Sequence, residues 1–151
     1  MKEYLKYYSL ENNLFKTVNK NFHKNKHLTP EEFLAIIIWK RNASKTKVVE
    51  GINASGKSIR TITNEIYKST SRERKLQILL EIKNIGITIA SAILTVLDDK
   101  EFTVLDYRAK NSLKITRVQV KGSPDNKPED YLSYVDLCKK RAKKYMSLWI
   151  T

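Results

Sequence analysis

The sequence predicts an all-α fold, a single multi-helix domain spanning residues 1–151 and built around two helices joined by a tight hairpin. Apolar residues recur three and four apart through most of the chain, the spacing of a helix that buries one face. Helix starts are marked by Thr29-Pro30-Glu31-Glu32 and Ser71-Arg72-Glu73-Arg74. In the first, Thr29 caps, Pro30 suits the first turn and Glu32 closes a capping box. Strand signals are confined to Ile115, Val118 and Val120, which leave room for one short β element near 115–120.

From the start, residues 2–22 read as an amphipathic helix, with Leu5, Tyr8, Leu14, Phe15 and Val18 on one side. His23 to His27 is a polar, basic linker, and its two histidines lack the partners and spacing of a metal site. Phe33 to Trp39 is apolar all round, which marks the central helix of the domain. At its end, Trp39-Lys40-Arg41 reads either as a core tryptophan with two solvated bases or as a base at a cleft facing phosphate. A short helix over 43–52 ends at Gly51, and another over 57–68 carries Ile59, Ile62 and Ile66 on one face.

Between them, Gly51-Ile52-Asn53-Ala54-Ser55-Gly56-Lys57-Ser58 matches the phosphate-binding P-loop pattern residue for residue. A P-loop needs a buried strand before it. What precedes is Lys45-Thr46-Lys47-Val48-Val49-Glu50, short and charged. The competing reading is a Ser/Gly turn, with Ser55 or Ser58 capping the following helix.

The helix-hairpin-helix occupies about 72–97. Leu76, Leu79 and Leu80 precede the hairpin Ile82-Lys83-Asn84-Ile85-Gly86, and Ala90, Ile93, Leu94 and Leu97 follow it. Gly86 is expected to take the left-handed conformation that lets the chain reverse. The helix that starts there directs unpaired amides outward, an arrangement that attracts phosphate. Asp98-Asp99-Lys100-Glu101 is a polar turn, Phe102-Thr103-Val104-Leu105 an extended connector, and Asp106 opens a helix to about Leu113. After the turn at 122–126, Pro128 starts a last helix. Its apolar stripe includes Tyr131, Tyr134, Val135, Cys138, Ala142, Tyr145 and Trp149, beside the basic run Lys139 to Lys144.

With 29 Lys and Arg against 16 acids, the chain carries +13 and a pI near 9.8. Such a balance favours a polyanion, nucleic acid before membrane. One cysteine permits no internal disulfide and no four-cysteine iron–sulfur cluster. No apolar run approaches the roughly eighteen residues of a membrane span, and no signal peptide opens the chain. A cytoplasmic, monomeric protein is expected.

Leu80-x-x-x-Asn84-Ile85-Gly86-x-x-x-Ala90-Ser91-Ala92-Ile93-Leu94, followed by Val104-Leu105-Asp106, resembles the helix-hairpin-helix motif and connector of the base-excision DNA glycosylases. The likeness covers residues 76–113, about a quarter of the chain. It implies a DNA partner and a monofunctional glycosylase that hydrolyses the N-glycosidic bond of a damaged or flipped base. It also implies that Asp106 is the catalytic carboxylate. Asn84, Gly86 and Thr88 would meet backbone phosphate, with Lys83, Lys40, Arg41 and Arg108 as further DNA contacts.

Backbone groups of Asn84 and Gly86 would hold a monovalent cation, Na+ or K+; no other cofactor or metal is implied. The chain departs from the family's pattern at Lys83, where the family has proline, and at Asn84, where it has glycine. It departs also at Thr88, the position of the lysine that some branches use to attack the sugar, eighteen residues before Asp106. Asp is in addition a preferred helix cap, so Asp106 has a structural reading beside the catalytic one. Two further function readings stay open: a non-catalytic DNA-binding module and a P-loop nucleotide-binding protein.

Overall fold

The chain is all-helical wherever the structure, a computed structural model, describes it: residues 10–105 and 127–150, with no strand among them. The expected helix from Asp106 to Leu113, the β element near 115–120 and the turn at 122–126 lie outside the described residues. So do the side chains of Tyr145 and Trp149. A π-helical stretch, Leu14–Val18, runs straight into α1, Asn19–Asn25. Leu14, Val18 and Phe22 are buried at intervals of four. An ordinary α-helix rotates such a series off its face, and the wider π turn offsets that drift. The helix therefore continues through the stretch expected to be a linker and stops at Lys26, which is left-handed at φ 66°.

Helix α2, Pro30–Arg41, has the capping box read from the sequence: Thr29 Oγ1 accepts from the Glu32 amide, and the Glu32 carboxylate accepts from the Thr29 amide. A 3-10 turn, Asn42–Ser44, leads into α3, Lys45–Ser55. Gly51 does not end this helix. It lies inside it, and the stop comes at Gly56, whose φ of 70° closes the last turn. Ser58 then caps α4, Ile59–Lys68, by accepting from the Thr61 amide. The match to the P-loop is thus a helix end, a turn and a capped helix. The buried strand that a phosphate-cradling loop needs is not there.

Helices α5, Arg72–Leu80, and α6, Ile87–Leu97, form the helix-hairpin-helix. The central position belongs to α6, not to the apolar helix α2. Every α6 residue but Thr88 is buried, whereas Ile38 of α2 is 39% exposed. Ala90, Ser91 and Ala92, all fully buried, give α6 the small surface that lets neighbours close around it. Asn19 and His23 of α1 serve its far end: Asn19 Nδ2 donates to the Val96 carbonyl at 2.8 Å and His23 Nε2 to that of Leu97 at 3.0 Å. These are carbonyls that the helix itself leaves unpaired.

Helix α7, Pro128–Ile150, packs its first turns through the buried Tyr131, Leu132, Tyr134 and Val135. Tyr131 donates its hydroxyl to the Thr103 carbonyl at 2.8 Å, tying α7 to the connector. Cys138 is half-buried on the same helix, and burial pushes its thiol pKa up, which suits packing more than nucleophilic attack.

Candidate nucleic-acid interface

The hairpin reverses at Asn84, with φ 71°. Gly86, expected to supply the left-handed turn, sits at φ −93° and ψ −179°, an extended geometry open to any residue. Asparagine tolerates the left-handed region because its short side chain bonds locally. Here Nδ2 donates across to the Lys47 carbonyl of α3 at 2.8 Å. The hairpin is held from within by Ile82 and Ile85, both buried, and by the Ile85 amide donating to the Ile82 carbonyl.

A second tie to α3 explains a glycine. A Cβ built on Gly51 would stand 1.8 Å from the Lys83 carbonyl oxygen. The two backbones touch there, and only glycine permits it.

Gly86 has the opposite surroundings. A Cβ added there would meet nothing within 4 Å. Gly86 is the N-cap of α6 and has no side chain to bond the amides of the first turn. The next backbone bond is the Ala90 amide to the Gly86 carbonyl at 2.9 Å. The first turn of α6 also carries no acidic residue. Helices α2, α4 and α5 each have a serine or threonine accepting at this point. The amides at the start of α6 thus keep the anion affinity that α2, α4 and α5 spend internally.

Lys40 and Arg41 arrive from the last turn of α2. Together with Ser44, Asn84, Gly86, Thr88 and Ile89 they line a cleft of about 280 Å³. Five of the seven residues expected to contact DNA therefore share one cleft: Asn84, Gly86, Thr88, Lys40 and Arg41. Lys83 is exposed on the hairpin but is not among the lining residues. Arg108, and with it the carboxylate of Asp106, lies outside the described residues.

The cleft is also wired to the connector. Lys40 Nζ donates to the Leu105 carbonyl at 3.0 Å. The Leu105 amide donates to Ser91 Oγ at 3.0 Å, and that hydroxyl donates onward to the Thr88 carbonyl at 2.7 Å.

No family model, curated protein or solved structure matches this chain.

Ser44, Ile89 and the role of Ser91 escaped sequence reasoning. Ser44 belongs to a 3-10 turn that only the packing of α2 on α6 places beside the hairpin. Ser91 was legible as a small residue, but its bonding to Leu105 depends on a connector fourteen positions away. Among the described residues no group of three or more His, Cys, Asp or Glu is placed to hold a metal ion. No described helix is long and apolar enough to cross a membrane.

Proposed function

We propose that this protein binds DNA through its backbone phosphates at the hairpin cleft and acts as a monofunctional DNA glycosylase. One observation carries the reading: an uncapped helix start, free of acids, converges with Lys40 and Arg41 on a single cleft. Amides and bases so arranged grip phosphate without reading a base edge, so they position a duplex and leave its sequence unread. The steric openness at Gly86 supports close approach by an outside group, since nothing in the protein itself requires glycine there.

The chemistry would rest on Asp106, one residue beyond the connector. A base turned out of the stack exposes its N-glycosidic bond. That bond breaks with its electron pair going to the departing base, and positive charge gathers on C1′. Water then bonds C1′ and gives its proton to the Asp106 carboxylate, leaving an abasic site in an intact strand. Thr88 has no amine, so the Schiff base of the strand-cleaving branches does not form at that position. A monovalent cation at the hairpin would draw on the Asn84 carbonyl and on the second lone pair of Gly86 O; no step runs through it.

The test is base release from duplexes carrying assorted damaged bases. We expect release without strand cleavage and no borohydride-trapped adduct. Asp106→Asn should abolish release and leave duplex binding nearly intact, because Asn keeps a capping oxygen and loses the charge. Undiminished release by that variant would reject Asp106. Duplex binding with no release from any substrate would favour the non-catalytic module.

A further inference from the structure

The two walls of the cleft hold the same residue, each by one of the two peptide groups that flank its α-carbon. From α2, Lys40 donates to the carbonyl of Leu105. From α6, Ser91 accepts the amide of Leu105 while donating to the carbonyl of Thr88, itself a lining residue. Leu105 is 2% exposed and Ser91 is fully buried, so the bond between them has no water to replace it, while the bond from Lys40 is partly buried. The side chain of Leu105 is seated in the core, which leaves its backbone little freedom once both polar groups are engaged.

We infer that Ser91 and Lys40 are positioning residues, which make occupancy of the cleft and placement of the Leu105 backbone one coupled event. Phosphate in the cleft orders the Lys40 ammonium and the first turn of α6. Lys40 is bonded to Leu105 directly and the first turn of α6 through the Ser91 hydroxyl, so that order passes to the Leu105 backbone from both sides. The acid of the proposed reaction, Asp106, is the next residue in sequence. The inference rests on the DNA-binding reading and adds to it a link between binding and chemistry. It also separates two serines. Ser44 lines the cleft and would feel the ligand directly, whereas Ser91 lies behind it and links Thr88 to Leu105.

Amide hydrogen exchange of the full chain, with and without a short DNA duplex, tests the coupling. In the wild type, duplex should slow exchange at Leu105 by about threefold or more, a local stabilisation of the size that exchange resolves. Ser91→Ala should bind the duplex within about twofold of wild type, since its side chain is buried away from the ligand, and should lose the slowing at Leu105. Lys40→Met, which keeps the stem and removes the ammonium, should lose it as well when measured at duplex concentrations that saturate the variant, and provides a second readout if Ser91→Ala unfolds. On a substrate duplex, Ser91→Ala should lower the rate of base release about tenfold or more at unchanged affinity, the scale on which small misplacements act. A merely structural serine would change the melting temperature and leave that split unmoved. Duplex that binds without altering exchange at Leu105, or slowing that persists in both variants, would overturn the coupling alone. Failure of the wild type to bind duplex would remove the DNA reading and the coupling with it.

Discussion

Three residues of the hairpin region show how differently small side chains are used. Gly51 is required from within. A methyl group there meets the Lys83 carbonyl at 1.8 Å, so either the hairpin or α3 must move. Overpacking of this kind costs about 1–3 kcal/mol, and Gly51→Ala should lower the melting temperature by several degrees. Gly86 is required, if at all, from outside. Gly86→Val meets open space in an allowed conformation and should cost under about 1 kcal/mol, chiefly from a poorer cap. Its circular dichroism should match wild type while duplex affinity falls more than for any single exposed lysine. A normally folded variant with normal affinity would show that the hairpin is not the DNA contact. Asn84 carries both a left-handed φ and a bond to Lys47. Asn84→Ala should cost about 2 kcal/mol, the sum of a strained backbone and a lost hydrogen bond. Asn84→Gly should recover the backbone part, which thermal denaturation of the pair will separate.

At the scale of elements, the tie between α7 and the connector has a pH signature. Burial raises the pKa of Tyr131 above its ordinary 10.0, so the folded state holds the neutral phenol. A group whose folded pKa is raised contributes its full share below the unfolded value and loses it as pH climbs toward the folded one. Tyr131→Phe should therefore cost about 1 kcal/mol near pH 8, where it only removes the bond to Thr103. Above pH 10 the wild type should lose up to about 1.4 kcal/mol per pH unit from this group, a penalty the variant lacks. The gap between their stabilities should close and then reverse near pH 11, as paired denaturant titrations would record. A constant gap would mean that the phenol is not buried. The helices themselves were legible in the sequence wherever the signal is local. The capping box at Thr29, the cap at Ser58 and the cap at Ser71 all lie within one turn of what they bond. Gly51 misled because its requirement comes from Lys83, far along the chain. The apolar helix α2 misled for a related reason: composition marked it as buried, but α6, with its small residues, admits neighbours more closely and takes the centre. In the hairpin the chain needs one left-handed residue, and the sequence offers Asn84 and Gly86 within three positions. Which of them turns is decided by the bond from Asn84 to Lys47, a contact that no local pattern displays.

Over the whole molecule, a charge of +13 is unevenly used. Part is paired internally: Arg72 with Asp136 at 2.8 Å, Arg74 with Glu81 at 3.4 Å and Lys57 with Glu65 at 3.2 Å. The groove between α5 and α7 is rimmed by Glu73, Glu81 and Glu129, so the molecule is not uniformly basic. Lys40 and Arg41 stand where a helix start adds its own positive end. The convergence of these parts was legible in pieces, since each residue of the cleft but Ser44 and Ile89 was singled out from the sequence, although the shared cleft depends on α2 lying against α6. We propose that this convergence holds DNA by its phosphates. It is tested most directly by the salt dependence of binding to an undamaged duplex. Neutralising about five phosphates should give a log–log slope of about −4 to −5, largely independent of sequence, and removing Arg41 should shorten it by about one. A flat dependence, or no binding even at low salt, would contradict it.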